Sequence, residues 1–154
     1  MFGELKISFV VIADNQNKLN KNLKRRIWHH HNLVNKFLKE GTCLMGRRTF
    51  ELTNWKGPKS WVITRDQKFK KSGVGTLHNL EDIRLFSDDE KVYVIGGKSL
   101  YVQLEEFVDE IHLYVFNNKD GDENWIDINM KEWKPKDYFN NTVWSYARLE
   151  KIKK

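Results

Sequence analysis

Apolar and polar positions along the chain fall into two rhythms. Lys6 to Ala13 (KISFVVIA) is an almost unbroken apolar run, which predicts a strand buried on both faces. Val92 to Ile95 is a shorter run of the same kind and predicts the central strand. Thr42 to Met45, ending at Gly46, and Trp61 to Thr64, after the Gly57-Pro58 turn, predict two more, with Leu77 in a further short one. Glu110 to Phe116 alternates and predicts a strand with one face in the core. The second rhythm is helical. Leu33, Val34, Phe37 and Leu38 make one stripe, so a helix is predicted over His31 to Lys39, with Gly41 near its end. Arg47 to Leu52 and Leu80 to Phe86 predict two further helices. Leu100, Tyr101 and Leu104 begin another, running to about Glu106.

Asp14 to Lys24 and Asn117 to Asn124 are polar and asparagine-rich, which predicts a loop and a turn. From Asp137 to Ile152 the helical rhythm is gone. An antiparallel pair is predicted about Asn140-Asn141, with alternation over Thr142 to Lys151. Strands that alternate with helices and then follow one another predict an α/β fold: a mainly parallel central sheet flanked by helices, with a C-terminal antiparallel strand pair. No repeat or linker divides the 154 residues, so one domain over 1–154 is expected.

Charge and cysteine content narrow the function classes. The 27 basic and 21 acidic residues leave a net charge of +6, but the lysines are scattered and the densest cluster, Lys21 to Arg26, is short. That distribution argues against a dedicated nucleic-acid surface and suits electrostatic attraction of an anionic small ligand. No apolar run approaches the ~18 residues of a membrane helix, and Met1 to Lys6 lacks the layout of a signal peptide. The single cysteine, Cys43, has no internal disulfide partner, so a cytoplasmic location is expected.

The chemistry gathers where strands end. Val92 to Tyr101 reads strand, Gly96-Gly97, then helix. By itself that is either a tight turn or a platform where a phosphate meets free backbone N–H groups, and the turn needs a dihedral that only glycine adopts freely. Gly46-Arg47-Arg48-Thr49 repeats the arrangement after another strand, and Thr64-Arg65 closes a third. In this order and spacing, Leu44 to Glu51, Val62 to Arg65, Val94 to Tyr101 and Val108 to Leu113 resemble the dihydrofolate reductase family and the related reductase domain of riboflavin biosynthesis. The resemblance covers nearly the whole chain. It implies NADPH as cofactor. Gly46, Arg47, Arg48 and Thr49 match the family's first cofactor block. Thr64 and Arg65 match the pair that flanks the adenosine 2′-phosphate, and Gly96, Gly97, Lys98, Ser99 and Leu100 the loop at the pyrophosphate and nicotinamide. A guanidinium fork suits such phosphates.

The substrate side departs from the pattern. The family holds its pterin with a buried carboxylate on the first helix. Here the matching position, before Leu33, is Asn32, and no Asp or Glu lies between Lys18 and Lys39. An amide can bond the ring but does not carry the charge that favours its protonation. His31 or His30 is the alternative proton source. Adjacent histidines point to different helix faces, so the triplet is not a metal site. Pro58 stands where the resemblance places an arginine for the substrate tail, leaving Lys59 as the neighbouring charge, and Tyr114 replaces a threonine. Phe37, Tyr114 and Lys59 are therefore the expected substrate contacts. The resemblance implies a reductase passing hydride to dihydrofolate or a similar pterin-like small molecule, as a monomer or homodimer. Two other readings stay open: a riboflavin-pathway-type reductase, and a protein of this fold with weak or no turnover.

Overall fold

The computed structural model describes residues 5–14, 18–19, 27–86, 91–116, 123–124 and 131–152, with the backbone alone at 14, 18–19, 27–32 and 123–124. Its strands are β1 (Lys6–Asp14), β2 (Lys18–Leu19), β3 (Thr42–Gly46), β4 (Ser60–Ile63), β5 (Gly75–Leu77), β6 (Lys91–Val94), β7 (Glu110–Phe116), β8 (Glu123–Asn124), β9 (Trp133–Asn140) and β10 (Trp144–Lys151). The helices are α1 (Ile27–Glu40), α2 (Arg47–Thr53) and α3 (Lys98–Leu104), with 3₁₀ turns at Leu80–Leu85 and Glu105–Phe107.

The sheet runs β5-β4-β3-β6-β1-β7-β10-β9, with β2 paired to β1 and β8 to β2. From β5 to β7 all neighbours are parallel. β10 lies antiparallel to β7, and β9 antiparallel to β10. The expected class, a mainly parallel sheet with a C-terminal antiparallel pair, is what the chain forms.

Handedness explains where the helices go. From β1 the chain steps over β6 to β3 and then outward to β4. It later returns to β6 and steps across β1 to β7. Right-handed crossovers in opposite directions must lie on opposite faces. Accordingly Val34, Phe37 and Leu38 of α1 and Phe50 of α2 pack into one core with Val10, Cys43, Met45, Tyr93 and Tyr114. Leu100 and Leu104 of α3, with Ile83, pack into the other with Ile7, Phe9, Val11, Val92, Val94 and Ile111. Side chains alternate across a strand, so β1 sends Ile7, Phe9 and Val11 one way and Val10 the other. Between β3, β6 and β1 the winding reverses, and a crevice opens there beyond the carboxyl ends of the strands.

Most elements fall where the apolar pattern puts them, and the differences have physical reasons. Leu80–Leu85 is a 3₁₀ turn rather than an α-helix, with Asp82 N–H to Asn79 C=O at 3.0 Å and Phe86 N–H to Ile83 C=O at 3.1 Å. A six-residue segment is too short to favour α geometry. The helix predicted to reach Glu106 leaves α geometry after Leu104 and finishes as 3₁₀. α1 begins at Ile27, before the apolar stripe that marks its second half. β9 begins at Trp133, because a half-exposed edge strand with Pro135 in it shows little alternation. Most of the predicted Asp14–Lys24 loop, and residues 117–122 of the predicted turn, lie outside the described residues.

Candidate functional site

The crevice is a cleft of about 760 Å³, the size of a small-molecule or cofactor site. β3, β4 and β6 deliver its floor. Gly46 N–H donates to Gly96 C=O at 2.9 Å, and Ile95 N–H to Leu44 C=O at 3.0 Å, which sets the ends of β3 and β6 side by side. At Gly96 φ is +124°, a backbone that side-chain-bearing residues rarely adopt. The Gly96–Gly97 peptide is cis. A Cβ on Gly96 or Gly97 would meet Thr49 Oγ1 at 3.3 or 3.4 Å, so the start of α2 stands against the glycine turn. Thr49 in turn is held in α2, where its carbonyl accepts the Thr53 hydroxyl at 2.7 Å.

One end of the cleft is cationic. Arg47, Arg48, Arg65 and Lys98 line it, and no described lining residue is a carboxylate. These cations are not equivalent. Arg47 is tied by Nε to Glu51 at 2.6 Å and by Nη1 to Asp66 at 2.7 Å, with its guanidinium 5.0 Å from the Phe69 ring centre. Asp66 is thereby held below the usual carboxylate range, first by the Lys68 N–H and then by Arg47. Arg48 and Arg65 make no ion pair with any described residue. Thr64 is positioned by its N–H to Leu77 C=O at 2.9 Å, while its hydroxyl accepts the Asp66 N–H at 3.2 Å.

The other end is apolar: Val10, Ile12, Val34, Leu52, Trp55, Ile95 and Tyr101 line it. The Tyr101 hydroxyl donates to Val10 C=O at 2.6 Å and is fully buried, which pushes its pKa far up and keeps it protonated. Anionic groups fit the first end and a flat, largely apolar ring system the second.

All eleven residues expected at the cofactor line this one cleft: Gly46, Arg47, Arg48, Thr49, Thr64, Arg65, Gly96, Gly97, Lys98, Ser99 and Leu100. Those expected on the substrate side do not gather there. Phe37 is buried one turn further along α1 than Val34, its ring 4.9 Å from Tyr93 and 4.8 Å from His112. Tyr114 is buried against Trp144 and Tyr146, with ring centres 5.4 and 4.9 Å away. Lys59 stands at the opposite end of β4, about 13 Å of strand from the cleft. It precedes the strand, whereas the cleft forms after it. Asn32 and His31 belong to α1, but their side chains lie outside the described residues. Sequence reasoning missed His78, Asn79, Val34, Trp55 and Gln103 on the cleft wall. His78 follows the end of β5 as Thr64 follows β4, and that shared strand-end position is the signal that could have found it.

Comparison with known proteins agrees with this geometry. The family described as Dihydrofolate reductase matches residues 6–142 of the chain. A dihydrofolate reductase of Staphylococcus aureus is 30% identical over 112 residues, 69% of each chain. One of Staphylococcus haemolyticus is 24% identical over 140 residues, 87% of this chain and 84% of that one. Among solved structures, the dihydrofolate reductase of Enterococcus faecalis complexed with NADP(H) and RAB-propyl superposes with a TM-score of 0.81. It is 18% identical and covers 96% of this chain, 97% of its own.

Proposed function

The chain belongs to the dihydrofolate reductase family, and from that premise we propose that it is an NADPH-dependent reductase acting on dihydrofolate or a similar pterin-like small molecule. The observation that carries the reading is the cleft itself: four cations line one end with no carboxylate among the described lining residues, only Arg47 being tied to acids outside it, an apolar slot forms the other end, and a glycine turn lies between them. The residues fit the cofactor. Arg48, Arg65 and the Thr64 hydroxyl suit phosphate oxygens, and Gly96-Gly97 leaves open the space that side chains would fill. When bound, the reduced nicotinamide supplies the hydride. The protein's contribution is binding, orientation and the local field.

The apolar end excludes water from the reacting faces and brings Val34 of α1 into the cleft. A helix turns about 100° per residue, so position 31 stands about 60° from Val34 and position 32 about 160°. His31 and Asn32, both on α1, are the two candidates for the group beside the substrate. A histidine there delivers a proton below its ordinary pKa near ~6.5, whereas an amide does not. The described lining residues all come from one chain, which suits a monomer or a homodimer with one cleft in each subunit. Cys43 is buried, which pushes its thiol up to about 12 and leaves it inert. A reducing, cytoplasmic setting agrees with that.

The test is spectrophotometric NADPH oxidation with dihydrofolate, in single turnovers from pH 5 to 8. Turnover that quickens as pH falls, is lost in His31→Ala and does not rise in Asn32→Asp supports the reading. Rescue by Asn32→Asp gives the catalytic role to position 32. NADPH binding without turnover in any of the three proteins supports the second reading, a binding protein of this fold. The lack of any Asp or Glu from Lys18 to Lys39 favours that alternative.

A further inference from the structure

We propose that the indole N–H of Trp55 is a specificity-determining contact of the cleft, donating to a carbonyl oxygen of the substrate at the apolar end. The inference rests on the substrate reading above and deepens it, naming a residue and the acceptor chemistry that it takes. Trp55 follows directly on α2. Asn54 ends that helix in the left-handed region, φ 53°, with its N–H on Phe50 C=O at 2.6 Å. The Trp55 backbone N–H then donates to Thr53 Oγ1 at 3.3 Å. The side chain is buried, 3% exposed, in the core it shares with Val34 and Leu38 of α1 and Phe50 of α2, and it also lines the cleft.

Its Nε1 has no hydrogen-bond partner among the described residues. Of the described residues that line the cleft, Trp55 alone has a buried side-chain nitrogen or oxygen in that state. An indole N–H donates and never accepts. Left unmet and out of water it costs free energy, so such a group calls for an acceptor. The neighbouring side chains of the apolar end, Val10, Ile12, Val34, Leu52 and Ile95, carry no polar atom, and the Tyr101 hydroxyl is already joined to the Val10 carbonyl. No Asp or Glu lies between Lys18 and Lys39 to take the N–H from α1. A ligand therefore brings the acceptor. A carbonyl oxygen suits it, with two lone pairs and a bond strengthened where water is excluded. An amino group in the same place sets donor against donor and is rejected.

The experiment titrates three ligands by calorimetry, with NADP+ present so that no hydride is transferred, into the unmodified chain and Trp55→Phe. They are dihydrofolate, with a ring carbonyl and an amide carbonyl; 6-methyl-7,8-dihydropterin, with the ring carbonyl alone; and 2,4-diamino-6-methylpteridine, with none. In parallel, the indole 1H–15N signals of the unmodified chain are followed, the Trp55 signal being the one missing from Trp55→Phe. Should that variant not fold, removing the other five of the six tryptophans in turn assigns the same signal by elimination. The expected result is that Trp55→Phe weakens dihydrofolate about tenfold more than the diaminopteridine, as fits the loss of one hydrogen bond. Equal weakening of the dihydropterin identifies the ring carbonyl as the acceptor, and weakening of dihydrofolate alone identifies the amide. The Trp55 indole proton moves downfield with dihydrofolate and stays in place with the diaminopteridine. Equal weakening of all three ligands, or an indole signal that dihydrofolate leaves unmoved, overturns the role of Trp55 and leaves the substrate reading intact. Absence of binding by both dihydrofolate and the dihydropterin in the unmodified chain overturns the substrate reading and, with it, this inference.

Discussion

Arg47 and Arg65 meet the same cleft, yet they arrive there in different states. Arg47 already bridges Glu51 and Asp66 and so fixes α2 to the loop after β4. Arg65 has no such partner among the described residues and keeps its fork for a ligand. Because Arg65 is exposed, its contact is partly screened by salt. Arg65→Ala is therefore expected to cost about 1.5 kcal/mol of NADPH binding, the low end for a charge-assisted bond, with NADH barely affected. Calorimetry with both cofactors at two salt concentrations checks it. Equal affinity for NADPH and NADH in the unmodified protein would remove the phosphate assignment. The sequence made these residues legible because each sits one or two places after an apolar run, where a parallel strand must end. It gave no sign that Arg47 is held by acids four and nineteen residues away. Nor did it show that Lys59, next to the same strand, stands at the wrong end. Residue type reads locally, whereas strand direction and ion pairing depend on the assembled sheet.

At the scale of elements, the join of β6 to α3 separates two glycines that look equivalent in sequence. Gly96 has φ +124°, while Gly97 is extended with φ −97° and ψ −154°. A side chain at Gly96 is strained whatever the space around it, by roughly 1–3 kcal/mol. A methyl on Gly97 meets only Thr49 Oγ1, at 3.4 Å, and otherwise projects into open space. Gly96→Ala is thus expected to lower folding stability by that amount. Gly97→Ala is expected to leave stability nearly unchanged and weaken cofactor binding. Urea unfolding together with NADPH titration of both variants decides it, and a stability loss confined to Gly97→Ala would reverse the assignment. Pattern alone placed this turn and foresaw an unusual dihedral, because Gly-Gly after a buried run has few other uses. It did not say which glycine carries it, since that is set by the hydrogen bond from Gly46 to Gly96. The same limit applies to β7 and β9. β7 is readable residue for residue because one face is buried and one is not. β9 is the outer edge, where Trp133 alone is deeply buried and Pro135 and Lys136 meet an irregular register opposite Arg148 and Leu149. Without two distinct faces, an edge strand writes little into the sequence.

For the molecule as a whole, the cleft occupies one end of the sheet and a charged lattice the other. At the start of β7, Glu110 is 2.5 Å from His112 Nε2, 3.2 Å from Lys91 Nζ and 3.8 Å from Arg148 Nη1, tying β6, β7 and β10 together. The His112 contact does most to lower the Glu110 carboxyl, to about 2; burial opposes this and Lys91 adds to it. The folded value lies below the ordinary carboxylate value near ~4.3. Its stabilising contribution is therefore fully present above the unfolded value and is lost as pH falls from about 5 towards 2. The shift corresponds to on the order of 3 kcal/mol, shared among coupled groups rather than owned by one residue. Urea unfolding of the unmodified chain and Glu110→Gln is expected to show a clear difference at pH 7 that shrinks steadily below pH 5. The two proteins should become nearly equal near pH 2.5. Acid sensitivity of the fold would then arise at the far end of the sheet, remote from the cleft. A difference between the two proteins that stays constant from pH 7 to 2.5 would mean that Glu110 contributes packing but no held charge. The source of acid sensitivity would then have to be sought elsewhere in the chain.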